Sequence, residues 1–336
     1  MLVQAAPIAG LTPDQYDAFL ESGWFRGSSM IYRSEFVCLD KQVLSIINIR
    51  LPLGGYHFRK SQRRVMRKAE SRFRVEVTDP IITPEKEVLY QSNFDRFKAF
   101  IHSSLEEIVL GQFVPIRLNT KEIAVYDGDR LIALSYFDVG ARSAAGILGV
   151  FDHEYASYSL GYFTMLKEVE WCVAHDIKWY YPGYIMDQSA EFDYKLRLGE
   201  MEWMVGPKQW TSFENDVRNR SKANVLRKKL AQLGVYFRER GVPYKEKIYP
   251  YFTTGHLIQT DDLLLRVPNY LEIKDEVNTY AATYDIEKGG FVLFTIEATT
   301  TYDHFLNLNV SEDYKDTECY EMRLMRVIAA SPIPFH

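Results

Sequence analysis

The densest chemistry in the sequence is a run of cations. From Arg59 to Arg74 the basic residues are Arg59, Lys60, Arg63, Arg64, Arg67, Lys68, Arg72 and Arg74, and Glu70 is the single acid among them. Arg63 with Arg67, and Arg64 with Lys68, fall four apart and stack along a helix. Such point charges neutralise the phosphates of a nucleic-acid backbone without reading its sequence. A solvated helix face is the plain alternative, but eight cations to one acid in an acidic chain favour phosphate contact. A second basic stretch over 218–240 includes Arg218, Arg220, Lys222, Arg227, Lys228, Lys229, Arg238 and Arg240 and is the weaker candidate.

Other residues carry different chemistry. Lys195 and Arg197 offer a charge-assisted pair to a carboxylate, unless they simply pair with Glu191 or Glu200. Tyr181 and Tyr184, at a strand end, can stack on a base or hydrogen-bond an ester, though a strand Tyr is more often core or rim. Asp152 and His153 close a strand facing a helix start, where either can take or give a proton; a turn role is the commoner outcome. Asp193 and Glu200 are outsiders for that task. His57, His102, His175 and His256 have no partner spacing, and Cys172 reads as core. Cys38, Cys172 and Cys319 form no Cys-x-x-Cys pair and no zinc-ligand spacing, so neither a metal site nor a disulfide framework is expected. A reducing compartment suits that cysteine usage. The N-terminus lacks a basic, apolar signal pattern and no apolar run approaches ~20 residues, so a cytoplasmic location is expected.

These residues need a scaffold, and the composition permits one. The chain has 336 residues, a net charge of −5, 47% hydrophobic and 25% charged residues. That is an ordinary folded balance, with about two domains' worth of length. The 14% aromatic share favours strands. Thr12-Pro13-Asp14 opens a helix that ends at Gly23. Met30 to Phe36 and Val43 to Leu51 read as strands. Ser61 is expected to cap the basic helix, with Val65, Ala69 and Phe73 buried. Phe73 to Val77 is a strand, and Thr83-Pro84 starts a helix with apolar spacing Tyr90, Phe94, Phe97, Ile101. Glu122 to Tyr126 and Arg130 to Val139 form a hairpin through Asp127-Gly128. Ala144 to Phe151 is a third strand. Ser159 caps a helix with core face Phe163, Leu166, Val169 and Val173. Ile177 to Ile185 is a strand, and Phe192 to Leu198 a short helix. The order is that of the central part of a GCN5-related (GNAT-like) acyltransferase, which alone fixes no function. From Pro243 onward the pattern is β-rich.

Two segments resemble the arginyl/leucyl-tRNA–protein transferase family. The first is Phe58-Arg59-Lys60-Ser61-Gln62-Arg63-Arg64-Val65-Met66-Arg67. The second, within 151–202, carries Ser159-Leu160-Gly161-Tyr162, then Tyr181-Pro182-Gly183-Tyr184-Ile185, then Tyr194-Lys195-Leu196-Arg197 in the family's order and spacing. The resemblance covers about residues 10 to 210. It implies an α/β (α+β) fold with a GNAT-like core and the transfer of Arg or Leu from charged tRNA to a protein N-terminus, usually Asp or Glu. No metal or redox cofactor is implied, since an ester is already activated and catalysis is mostly positioning and proton management. Substrate contacts are expected from Ser159, Gly161, Tyr162, Tyr181, Gly183, Tyr194, Lys195 and Arg197. Candidate catalytic residues are Asp152, His153 and Tyr184. Arg59, Lys60, Gln62, Arg63, Arg64, Arg67 and Lys68 are expected at the tRNA. The chain departs from the family in keeping only Cys38 of the usual cysteine cluster, which argues against an iron–sulfur site, and in placing Pro182 where an aliphatic residue is usual.

The expected organisation is an N-terminal tRNA unit (1–80), a GNAT-like core (81–210) and a basic helix with a β-rich extension (211–336). Partners would be aminoacyl-tRNA and an acceptor N-terminus, with no membrane; the oligomeric state is not legible. A GNAT enzyme using acyl-CoA is the rival. Its pyrophosphate would need open backbone amides at the helix start, where bulky Tyr162 and Phe163 are expected to obstruct. A degenerate family member that only binds RNA or protein is the third reading.

Overall fold

The computed structural model describes residues 3–39, 42–96, 102–111, 118–249, 251–252, 267–299 and 324–333. The chain runs through β1 (Val3–Pro7), α1 (Pro13–Glu21), β2 (Phe25–Gly27), β3 (Met30–Ser34), β4 (Phe36–Leu39) and β5 (Gln42–Pro52). Next come α2 (Lys60–Glu70), β6 (Arg74–Thr78), α3 (Pro84–Gln91) and α4 (Leu105–Leu110). The centre holds β7 (Asn119–Asp127), β8 (Arg130–Val139), β9 (Ser143–Phe151), α5 (Leu160–Ala174) and β10 (Trp179–Met186). A 3₁₀ turn over Asp193–Leu198 leads to β11 (Glu202–Gly206) and β12 (Gln209–Ser212). The last part is α6 (Lys222–Glu239), β13 (Lys245–Ile248), β14 (Asn269–Lys274), β15 (Thr279–Asp285), β16 (Gly290–Thr299) and β17 (Leu324–Pro332).

The fold is mixed α/β, built on three sheets. The largest runs β12-β11-β5-β10-β9-β8-β7-β6, with β4 paired to the start of β5. The others are β1-β3-β2 and an antiparallel β13-β14-β15-β16-β17. Strand β5 lies between β10 and β11, so the expected boundary near residue 80 runs through one sheet. The core agrees: Ile47, Ile49 and Leu51 of β5 and Met66 of α2 pack in the same cluster as Phe137, Phe163 and Leu166. The segment after residue 210 is β-rich as expected, and α6 brings Ala223 and Leu226 against Phe36 and Val43.

Local signals place most elements. Thr12 and Gln15 form a reciprocal capping box with Pro13 at the first helical position of α1. The hairpin at Asp127-Gly128 joins β7 and β8, with Gly128 at φ +63°. Three expectations need correction. Helix α2 starts at Lys60 with Arg59 as its cap residue, and Ser61 is exposed inside it. The Gln62 side chain does the capping by accepting the Arg59 amide at 2.7 Å. The buried stripe is Gln62, Met66, Ala69 and then Phe73, while Val65 stays half-buried. Val173 ends α5 at 39% exposed, off the core face. Phe97, Ile101, His256 and Cys319 lie outside the described residues. No described helix is long and apolar enough to cross a membrane.

Candidate active site

A single parallel pairing creates the site. β10 pairs with β9 only from Trp179↔Ser143 to Tyr181↔Ala145. The next residue, Pro182, has no N–H to continue the ladder. Gly183 follows at φ +100°, in a register shift against β5. The two strands part, and a cavity of about 340 Å³ opens between them. It is lined by Gly146 to Gly149 and Phe151 of β9, by α5 from its cap at Ser159 to Glu168, by Tyr180 and Pro182 of β10, and by Tyr194 and Lys195 of the 3₁₀ turn.

A carboxyl stands on the α5 wall. Glu168 is 2% exposed, and it accepts a 2.6 Å hydrogen bond from the Tyr180 hydroxyl. Burial pushes its pKa up to about 7, against the opposing effect of that hydrogen bond. The same burial and the adjacent carboxyl hold the Tyr180 phenol far above its ordinary value, so it stays a donor. Gly146 permits this arrangement. A Cβ there would lie 2.9 Å from the Tyr180 hydroxyl and 3.2 Å from Glu168 Oε2.

Lys195 is the cation at the cavity. Its Nζ donates to the Tyr184 carbonyl at 3.2 Å and sits 4.5 Å from the Phe192 ring centre and 5.4 Å from that of Tyr184. Burial lowers its pKa to about 8. Among the described residues it has no carboxylate partner, so Glu191 and Glu200 do not neutralise it. Gly183 also makes room here, since a Cβ would come within 3.2 Å of Nζ. The turn that carries Lys195 is clamped. Gln62, 1% exposed, donates to the carbonyls of Arg197 at 3.1 Å and Leu198 at 2.8 Å. The Tyr162 hydroxyl donates to the Arg197 carbonyl at 2.9 Å, and Arg218 pairs with Asp193 at the other end.

The remaining expected residues divide cleanly. Ser159, Gly161 and Tyr162 line the cavity with Tyr194 and Lys195. Ser159 occupies the cap position of α5 but at φ +55° and without a side-chain cap. Phe163 is fully buried in the core and does not obstruct the helix start as expected. Arg197 lies outside the lining, its guanidinium 4.4 Å from the Tyr162 ring centre. Tyr181 faces the other side of the sheet, where its hydroxyl accepts from Arg50 at 3.3 Å and its ring packs on Trp210. Tyr184 packs between Phe25 and Phe192. Asp152 pairs with Arg130 and accepts the Glu154 amide, and His153 bonds the Asn93 side chain at 2.9 Å. Burial and nearby Arg96 lower the His153 pKa. Neither Asp152, His153 nor Tyr184 lines the cavity.

Sequence reasoning missed Glu168 and Tyr180. A signal existed for the first. Leu160, Thr164, Glu168 and Cys172 recur every four residues on α5, and all are buried, so a carboxyl sits on an otherwise apolar or small face.

The basic helix touches the segment that leads into the cavity. Arg59, Lys60, Arg63, Arg64, Arg67 and Lys68 are exposed. Lys68 Nζ donates to the Ser157 carbonyl at 2.9 Å and lies over the Tyr158 ring. Ser157 and Tyr158 lead directly into Ser159 at the cavity. Gln62, expected among the tRNA contacts, has no surface to offer a phosphate; it ties α2 to the lysine-bearing turn instead.

Comparisons with a family model and with curated relatives find similar proteins. Residues 82–205 match the family model described as arginine-tRNA-protein transferase, C terminus. An aspartate/glutamate leucyltransferase of Vibrio cholerae is 25% identical over 199 residues, covering 58% of this chain and 82% of that protein. The enzyme of the same name from Stenotrophomonas maltophilia is 24% identical over 218 residues, covering 61% and 82%. That from Leptospira interrogans is 25% identical over 182 residues, covering 53% and 69%. Among solved structures, L-PGS from Bacillus licheniformis superposes with a TM-score of 0.33 at 10% identity, over 51% of this chain and 50% of that one. Through the matched segment 82–205 and the motifs around Gln62, Ser159, Gly183 and Lys195, the chain is similar to the arginyl/leucyl-tRNA–protein transferase family.

Proposed function

We propose that the chain is an aminoacyl-tRNA–protein transferase that moves Leu or Arg from charged tRNA onto the α-amine of a protein beginning with Asp or Glu. The observation that carries this reading is the junction of α2 with the cavity. A row of exposed cations ends at Lys68, one hydrogen bond from the segment that enters the cavity at Ser159. Phosphates held along α2 would bring a tRNA 3′ end to that mouth. The hairpin, third strand, helix and parallel strand around the cavity support a GNAT-like core. Residues 1–80 and 81–210 then act as one catalytic body, and a cytoplasmic site of action fits the family.

In this reading the helix start at Ser159 and Gly161, with Tyr162 and Tyr194, receives the esterified nucleotide. Lys195 receives the acceptor's side-chain carboxylate, because it is the half-buried cation lining the cavity and has no described carboxylate of its own. Arg197, next to Tyr162 at the rim, adds positive potential. Partial desolvation strengthens the Lys195–carboxylate pair.

The test mixes purified protein with labelled Leu-tRNA or Arg-tRNA and peptides beginning with Asp, Glu or Asn. Transfer to the acidic peptides is the expected result; no transfer of any aminoacyl group, with micromolar binding of acetyl-CoA, overturns the reading in favour of an acyl-CoA enzyme. Lys195→Met is expected to reduce the preference for Asp over Asn by about tenfold, since a hydrogen bond to a charged group is worth about 1.5–3 kcal/mol. A lysine with a lowered pKa is charged below it and neutral above. The preference for Asp is therefore full at pH 7 and falls as pH rises through about 8.

A further inference from the structure

We infer that Glu168 is the proton acceptor and donor of the transfer step, held in place by Tyr180; this rests on the transfer reading above. The geometry selects it. Among the described residues lining the cavity, Glu168 is the carboxyl; α5 carries it, with Oε2 3.2 Å from where a Cβ on Gly146 of β9 would sit. Its Oε2 is fixed by the 2.6 Å bond from Tyr180, and Gly146 leaves the approach from β9 free of a side chain. Asp152 and His153, the expected bases, are engaged with Arg130 and Asn93 and do not line the cavity.

The step balances without any further reactant. The acceptor's α-amine nitrogen attacks the ester carbonyl carbon, forming a C–N bond. Glu168, as carboxylate, takes a proton from that nitrogen. The C–O bond to the tRNA ribose breaks, and the protonated Glu168 returns the proton to the departing ribose oxygen. Glu168 ends ionised, and the products are a peptide bond and a free ribose hydroxyl. A base that must accept and then release one proton works best with a pKa near the working pH. Burial brings the Glu168 carboxyl to about 7.

The groups facing Glu168 are few. Tyr180 comes from β10, Ser135 from β8, Cys172 from its own helix and Tyr194 from the 3₁₀ turn. Lys195 lines the same cavity, and β9 contributes only Gly146, Ile147, Leu148, Gly149 and Phe151. None of these except Glu168 and Lys195 changes charge near neutral pH, and Lys195 does so about one unit higher.

The experiment measures kcat against pH at saturating charged tRNA and Asp-peptide, for the full chain and two variants. The unaltered protein is expected to lose activity on the acid side through an apparent pKa of about 7. Glu168→Gln is expected to lower kcat by roughly 10²-fold or more and to abolish that acid limb, while the Kd for tRNA is unchanged. Tyr180→Phe removes a hydrogen bond that favours the ionised carboxyl, so its acid limb moves to higher pH. This second variant keeps the proposal testable if Glu168→Gln fails to fold. Unaltered kcat and acid limb in Glu168→Gln, or an acid limb that stays in place in Tyr180→Phe, overturns the role of Glu168. No transfer by the unaltered protein overturns the transfer reading instead, so the two failures are distinct.

Discussion

The chain has two basic stretches of nearly equal composition, and they are wired differently. On and beside α2 the cations Arg59, Lys60, Arg63, Arg64 and Arg67 form no ion pair with a described carboxylate, and Arg63 and Arg67 bond only backbone carbonyls of their own segment; past the helix, Arg72 and Arg74 pair with Asp127 and Glu76. In the stretch around α6 most cations are occupied. Arg218 pairs with Asp193, Arg220 with Glu214 and Asp216, and Lys222 with Glu35. Arg227 donates to Asp187 at 2.5 Å, where the Asp187 side chain is fully buried and also receives the Ser45 amide and the Ser221 hydroxyl. Lys229 lies over Tyr284, and Arg238 donates to Tyr244. Counting charges does not separate the two stretches; their partners do. Along α2 the first presents charge to solvent, and the second uses charge to fasten α6 and the turn before it to Glu35, Asp187 and Asp193.

That contrast can be broken by mutation. The largest effect is expected from Arg227→Ala, which leaves Asp187 buried without its counter-ion and costs about 3 kcal/mol of stability in urea unfolding. Its tRNA affinity should be unchanged; weaker binding with intact stability would erase the distinction. Arg63→Glu with Arg67→Glu should weaken tRNA binding by about tenfold or more and reduce the slope of log K against log salt by roughly two. Stability should barely move, and unaltered binding would remove α2 from the interface. Lys222→Ala loses a partly exposed pair with Glu35 and should cost less than about 1 kcal/mol in the same unfolding assay. Lys228→Ala, exposed on α6, sharpens the comparison as a control. It should change stability by no more than about 0.5 kcal/mol and leave binding unaltered.

What the sequence discloses follows the range of the interactions. Strand β8 begins and ends at Arg130 and Val139 as the alternation and the Asp-Gly turn predict, because both signals are local. Lys195 stands out through its motif, and it lines the cavity. Helix α2 was legible as a helix, and Ala69 and Phe73 are buried as expected, but Met66 is buried where Val65 was expected. Gln62 defeats a polarity argument because its amide replaces water with the carbonyls of Arg197 and Leu198, contacts made far along the chain. The meeting of Glu168 with Tyr180 depends on β9 and β10 parting at Pro182, which is a property of two strands and not of either alone.

The seat of β5 governs how the chain must assemble. Its residues are synthesised early, yet its neighbours on either side, β10 and β11, belong to a much later part of the chain. Until both arrive, a strand that carries Val43, Leu44, Ile46, Ile47, Ile49 and Leu51 has two unsatisfied edges beyond its pairing with β4 over residues 42–45. Long-range closure of that kind slows folding and exposes sticky surface in the interim. Cutting the polypeptide near residue 80 would therefore yield two insoluble pieces, and only co-production of the fragments would rebuild the shared sheet.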